Sequence, residues 1–394
     1  MKLHIKIILV ILAFVLFSSF IHTAPEYEGS LSCKECHEEL YDQWANSLHA
    51  QATSDPIFEA SYLLVLREKP EEKEFCLRCH SPTTALTKDF NLELELSREG
   101  VTCDFCHTVS DLKMDGVIEY IPKVGNIKFG KSKREITEHG LSFRDFFSKS
   151  EFCGGCHQFL NSNGVPVMET YEEWKSGPYF QKKECQDCHM EMVENVRSHR
   201  FAGGHLESKV TSAAQVKLDV EIEERSMKVK VYVTNSGSGH KIPTGIPSRR
   251  LILHLVVRNS GGEIIFKEDR VYEKVLVDAE GEVLKEDHRL ILDSERILKD
   301  NRIAPLETRI EEFEFEVPQS IQDLDVSAEL EYSYEPQLLT KTKLSVLMAK
   351  ESKFEHIRDV SKERVKVSKE AFFWVLLLTI PIIVMLYEIL RRRK

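Results

Sequence analysis

"CDFCH", residues 103–107, sets two cysteines three positions apart and a histidine directly after the second. The same frame recurs as "CKECH" at Cys33–His37, "CLRCH" at Cys76–His80, "CGGCH" at Cys153–His157 and "CQDCH" at Cys185–His189. The five frames take all ten cysteines: Cys33, Cys36, Cys76, Cys79, Cys103, Cys106, Cys153, Cys156, Cys185 and Cys188. Five disulfides would explain an even count, but not a histidine after every second cysteine. A structural zinc site needs a closed tetrahedral set, and a histidine adjoining the second cysteine is badly placed to complete one. Two thiols at this spacing suit thioether bonds to the two vinyl groups of a haem, with the adjoining histidine reaching the iron. The frames therefore read as attachment sites for five covalent haem c groups, with His37, His80, His107, His157 and His189 as proximal ligands.

Successive frames start 43, 27, 50 and 32 residues apart. Between Glu26 and Leu206 that leaves about 36 residues per haem, too few for separate apolar cores. The macrocycles are then expected to form much of the core and to lie close enough to exchange electrons. Ten histidines stand outside the frames. His4 and His22 fall in the leader, and five others, His49, His139, His199, His205 and His240, match the number of second axial ligands needed. His254, in "LILHLVV", is expected on a strand face, and His288 and His356, set among charges, are expected at the surface. Met190 and Met192 follow the fifth frame; a thioether can ligate iron, but packing is the expected role for both.

Longer blocks around the frames carry a resemblance. "CKECHEELYDQWANSLHA" from Cys33, "EGVTCDFCH" from Glu99 and "TYEEWKSGPYFQKKECQDCHM" from Thr170 resemble the cytochrome c-554-type multihaem family, which includes the tetrahaem electron acceptor of hydroxylamine oxidoreductase. The resemblance covers about half the chain. It implies that His49 is a distal ligand to a haem other than the one at His37. "GHKIPTG" resembles a block of related multihaem proteins and supports His240, and "SHRFAGGH" resembles a ligand-bearing loop. A fifth frame and a long C-terminal extension set the chain apart from four-haem members. A partial internal repeat aligns Tyr41 and Trp44 of "YDQWANSLHA" with Tyr171 and Trp174 of "YEEWKSGPYF", and puts Tyr179 where the first copy has His49.

After Leu206 the pattern changes. Val216, Leu218, Val220 and Ile222 alternate with polar residues, as do Met227, Val229, Val231 and Val233, and the alternation returns at Phe313–Val317 and Val326–Tyr332. Period-two alternation marks half-buried strands, and a succession of them implies an Ig-like β-sandwich. The fold expected is α+β and multidomain: a mainly helical or irregular multihaem domain, an all-β domain and a C-terminal transmembrane helix. The boundaries read as a signal peptide at 1–24, a pentahaem domain at 25–206, the β-sandwich at 207–340, a stalk at 341–370, a membrane span at 371–390 and a basic tail at 391–394. The leader has Lys2 and Lys6 before the run Ile7–Phe20, but no clean cleavage site, so an uncleaved anchor stays open. The run Ala371–Tyr387 precedes "RRRK", and positive residues favour the cytoplasmic side. That places the body on the extracytoplasmic face of the cytoplasmic membrane.

The formal charge is −11, and the six positive charges at the two ends leave −17 between them. Such a chain lacks the basic footprint that nucleic acid requires. The leading functional expectation is a membrane-anchored relay between the membrane, or a quinone-linked complex in it, and a redox partner protein, with oligomerisation open. Two alternatives stand beside it. One is a haem enzyme acting on a small nitrogen or sulfur oxyanion at one open iron, although no C-x-x-C-K frame of the pentahaem nitrite reductases is present. The other is a subunit of an extracellular cytochrome filament.

Overall fold

Asp55 opens the longest helix of the N-terminal region, Pro56–Glu68, by accepting the Ile57 and Phe58 amides at 2.9 and 3.1 Å, with Pro56 in the first turn where no amide is missed. Pro70 then disfavours helical geometry at Lys69 and ends it. Most other helices here are short, and the cysteine frames lie on or directly after five of them: Ser30–Lys34, Lys73–His80, Cys103–Thr108, Ser150–His157 and Cys185–His189. Residues three apart share a helix face, so such a turn aims both thiols of a frame the same way. The structure, a computed structural model, describes residues 26–133, 138–334, 344–357 and 380–392.

From Ala214 the chain turns to long antiparallel strands. Three form one sheet in the order Thr308–Glu316, Ser226–Asn235, Ala214–Glu223, and four form another in the order Ile264–Tyr272, Arg249–Asn259, Asp323–Tyr334, Leu344–His356. Burial alternates along the Ser226–Asn235 strand, so Met227, Val229, Val231 and Val233 all face inward. Leu251, Leu253, Leu255 and Val257 of the second sheet, with Val326, Ala328 and Leu330, join them in one apolar core. Removing that apolar surface from water drives the two sheets together. The chain is thus a mixed helix–strand protein with a helical, hairpin-rich N-terminal region and a β-rich remainder.

The β-rich part runs further than the alternation suggested. Residues assigned from sequence to a stalk beginning at 341 include the strand Leu344–His356, which pairs with Asp323–Tyr334 along its length. It is a sheet-edge strand with Met348 as its one buried large residue, so its charged outer positions hide the period. The leader at 1–24, residues 358–370 of the expected stalk and residues 371–379 of the expected span lie outside the described residues. Residues 380–391 are helical, and among the described residues no helix is long and apolar enough to cross a membrane.

The two parts meet along the Thr170–Lys175 helix. Thr244 donates to Glu173 at 2.7 Å and meets Thr170 at 2.8 Å, Lys274 pairs with Glu169 at 2.6 Å, and Arg302 pairs with Glu173 at 2.6 Å. A second contact joins the Pro56–Glu68 helix to Asp287–Leu292, through Lys69 to Asp293 and His288 to Glu68 at 3.4 Å. His288 is therefore buried, not exposed as its charged neighbours implied. His254 lies half-buried on a strand face against Asp269 at 2.8 Å, and His356 is exposed beside Asp323 at 2.7 Å.

Candidate metal centre

Four histidines from the frames each face a second histidine at nearly one distance. Ring centres of His37 and His139 are 6.4 Å apart, His157 and His49 6.2 Å, His107 and His199 6.3 Å, and His189 and His240 6.3 Å. Two metal–imidazole bonds of about 2.0 Å, plus roughly 1.1 Å from each nitrogen to its ring centre, span about 6.2 Å. The spacing thus admits one metal between each pair of rings. The pairs are distant in sequence and come from different elements, so the fold, not local chain geometry, sets this distance.

Ring orientation follows from the other nitrogen. His107 Nδ1 donates to the Phe129 carbonyl at 2.8 Å, His189 to Ala202 at 2.5 Å and His80 to Ala52 at 2.9 Å. On the opposing side His199 donates to Arg197 at 2.9 Å, His139 to Gly140 at 3.1 Å and His240 to Lys241 at 2.9 Å. A carbonyl only accepts, so each of these Nδ1 atoms carries the proton and Nε2 the lone pair; the Ser238 hydroxyl also lies 3.4 Å from His240 Nε2. Desolvation, reinforced by His157, His205 and His80, pushes His49 down to about 3. Desolvation, with His107 next, takes His199 down to about 4. Neutral imidazole is the form that ligates a metal.

The frames are packed against one another. Cys33 neighbours Cys103, Cys79 neighbours Cys156 and Cys153 neighbours Cys185, each close enough to perturb the other's thiol. Tyr120 links the third frame to the fourth: its ring meets Phe105 edge-on at 5.5 Å while its hydroxyl donates to Phe152 O at 2.6 Å and reaches Cys156 Sγ at 3.6 Å. This contact explains the second glycine of "CGGCH", and Ile118 and Tyr171 explain the first. A Cβ on Gly155 would lie 2.5 Å from the Tyr120 ring, and one on Gly154 2.9 Å from Tyr171.

The repeat seen in sequence is built into the contacts. Trp44 Nε1 donates to Val101 O, two residues before Cys103, and Trp174 Nε1 donates to Lys183 O, two residues before Cys185; both are 2.8 Å. Ser30, three residues before Cys33, accepts the Cys103 amide at 3.3 Å, while Ser150, three before Cys153, accepts the Cys185 amide at 2.9 Å. One two-frame module therefore occurs twice. Tyr179, which aligns with His49, lies against Gly239, beside His240 and not opposite a frame histidine.

His80 and His205 do not join the pattern. Among the described residues His80 has no histidine at the 6.2–6.4 Å spacing, and Phe58 stacks on it at 4.0 Å and 16°. His205 is half-buried, held below its usual range by desolvation first and then by Arg249 and His189. Met192 is exposed in a short hairpin. Aromatic residues close to the histidines, Phe58, Phe147 and Phe201, escaped the sequence reading; Phe201, inside "SHRFAGGH", was the one with a signal to follow.

Residues 32–108 match the family model described as cytochrome c554 and c-prime. Among solved structures the chain is similar to a penta-heme cytochrome c552 from Thermochromatium tepidum, at 24% identity and TM-score 0.72 over 84% of this chain and 100% of that one. At that identity the likeness shows the fold. A putative beta-galactosidase from Bacteroides fragilis aligns with 35% of this chain and 15% of its own at 10% identity and TM-score 0.19, which carries no argument. No curated protein matches the chain. The family match over residues 32–108 supports a multihaem c-type cytochrome relationship, with haem c as cofactor, and the penta-heme structure adds likeness of fold. The frames and the paired imidazoles fit that group.

Proposed function

We propose that the chain carries five haem c groups and relays electrons outside the cytoplasmic membrane, between a membrane-linked donor or acceptor and a soluble redox partner. The observation that carries this reading is the set of four histidine pairs at 6.2–6.4 Å. When bound, haem supplies one-electron iron chemistry. The chain's own residues would set the rest. His139, His49, His199 and His240 would occupy the faces opposite His37, His157, His107 and His189, leaving no room there for substrate. Backbone carbonyls hold the ring planes of His107, His189, His139, His199 and His240, so little needs to move there when charge changes. The neighbouring frames favour short steps between haems.

In this reading residues 25–206 form the haem domain, the two sheets form an Ig-like sandwich serving as a spacer or docking module, and residues 371–390 tether the protein. The net negative body suits a partner with a basic docking face. The test is low-temperature EPR of the oxidised, detergent-solubilised full chain with a potentiometric titration. Low-spin signals from at least four haems, all unmoved by nitrite or hydroxylamine at those four, support the relay; a majority of high-spin iron sinks it.

A second reading rests on His80. With no histidine opposite it at that spacing among the described residues, the iron there would be open to a small nitrogen or sulfur oxyanion. One high-spin signal that shifts on adding nitrite or hydroxylamine supports this reading. Five low-spin signals end it.

A further inference from the structure

His240 stands in the loop after the Ser226–Asn235 strand, within the β-rich part, yet its ring faces His189 of the fifth frame at 6.3 Å and 12°. A ligand lent by one unit to another is only as well placed as the docking between them. We infer that Arg302 is a positioning residue for His240, clamping its loop to the helix that leads into the fifth frame. The inference rests on the reading of His240 as an axial ligand.

Arg302 is buried, and its guanidinium engages both sides of the junction. Nε and Nη2 hold the two Asp300 oxygens at 2.8 and 2.9 Å, while Nη1 meets Glu173 Oε1 at 2.6 Å and the Pro243 carbonyl at 3.4 Å. Glu173, also buried, belongs to the Thr170–Lys175 helix and receives the Thr244 hydroxyl at 2.7 Å. Its neighbour Trp174 is tied to Lys183, two residues before Cys185. On the other side, Ile303 exchanges both backbone hydrogen bonds with Ile242, at 3.0 and 3.1 Å. Asn235 Nδ2 donates to His240 O at 2.9 Å and to Ile303 O at 3.1 Å. A continuous path therefore runs from the His240 loop through Ile303, Arg302, Glu173 and Trp174 to the fifth frame.

The chemistry of the clamp suits positioning better than simple adhesion. Lys241 pairs with Asp300 at 2.8 Å and Lys274 with Glu169 at 2.6 Å, so three carboxylates and three cations balance in a site mostly closed to water. Apolar side chains of similar volume would hold two surfaces together at less desolvation cost, whereas buried ion pairs serve best where one register must be chosen. A guanidinium is planar and binds carboxylates through a fixed fork, so it sets an angle as well as a distance. The backbones are also close: a Cβ on Gly177 would lie 2.9 Å from Glu173 O and 3.3 Å from Gly239 O. A small slip at this junction would move His240 directly.

The experiment uses full-length holoprotein and the variants R302M, R302K, E173Q and H240A, read by EPR and by the midpoint potential of each haem. H240A converts one low-spin haem to high spin. R302M is expected to do the same to that haem alone, with R302K, which keeps the charge but not the fork, restoring only part of the low-spin signal. E173Q keeps the shape of the site if R302M fails to fold, and is expected to shift that haem's g-values and potential while leaving the others unchanged. H240A with every low-spin signal intact overturns the ligand reading and the clamp together. H240A losing one signal while R302M, or E173Q in its place, leaves that haem's signal and potential unaltered overturns the clamp alone.

Discussion

Phe201 meets His49 edge-on at 4.2 Å between ring centres, and its own backbone stands at φ +48°. The same ring meets His199 edge-on at 5.8 Å. His49 and His199 face different frame histidines, His157 and His107, so a single aromatic side chain abuts two centres. A side chain with a Cβ in left-handed geometry costs about 1–2 kcal/mol. The ring contacts, each worth roughly 0.5–1.5 kcal/mol, offset that cost.

Replacing Phe201 separates the two effects. F201A forfeits the ring contacts and keeps the strained backbone; F201G forfeits the contacts and relieves the strain. F201G should be at least as stable as F201A in denaturant titrations, despite glycine's greater entropy loss on folding. Both should shift the low-spin EPR of the His49 and His199 haems. A glycine variant clearly less stable than the alanine variant would remove strain from the account.

His199 and His205 were equal candidates in sequence, and the fold separates them. H199A should remove one low-spin signal, because His199 lies 6.3 Å from His107 with its Nε2 free. H205A should leave the low-spin count unchanged. Loss of a signal in H205A would show that His205 reaches an iron after all, with His80 the natural partner.

Asp104, inside the third frame, is buried against Lys128 at 2.6 Å and also accepts the Glu28 amide at 2.8 Å. K128M strands that carboxylate, and breaking one side of a buried pair costs about 3–5 kcal/mol. The D104N/K128M double variant should lose less than K128M alone, since an amide tolerates the site without a cation. Thermal unfolding of the three holoproteins decides it, and a double variant worse than K128M contradicts the argument.

Asp300 makes the domain junction acid-sensitive. Burial alone would raise its carboxyl, but Arg302 and Lys241 outweigh burial and hold it well below the usual carboxylate range. A group depressed in the folded state contributes stability in full above its unfolded value, about 3.9, and loses it as pH falls toward the folded value. The stability gap between wild type and D300N should therefore be widest near neutrality and shrink below about pH 4. A gap constant from pH 7 to pH 3 would mean that the carboxylate's charge is not what matters there.

Covalent chemistry made the five frames plain in sequence, because no other use of ten cysteines explains the trailing histidines. The strands Ala214–Glu223 and Ser226–Asn235 were equally legible, since each buries one face and exposes the other. The strand at Leu344–His356 was not, because an edge position leaves its outer residues free to be charged. Choosing among histidines needed tertiary distances: His49 and His157 are 108 positions apart, and nothing local to either marks them as opposed. His288 misled for a related reason, since its charged neighbours Asp287 and Arg289 turn to Tyr334 and Asp278 within the β-rich part while the imidazole packs across the junction toward Glu68.

The four histidine pairings are not arranged one after another along the chain. The arc from His37 to His139 overlaps the arc from His49 to His157, and the arc from His107 to His199 crosses both. Chords that cross in this way form a braid, in which no strand segment between 37 and 199 can be drawn out while its neighbours stay closed. The arc from His189 to His240 is held more lightly: it crosses only the arc from His107 to His199, close to that arc's end, and acts as a latch. Under mechanical pull or slow denaturation, this chain should open like a box with one clasp: the latch first, then the braid as a single piece.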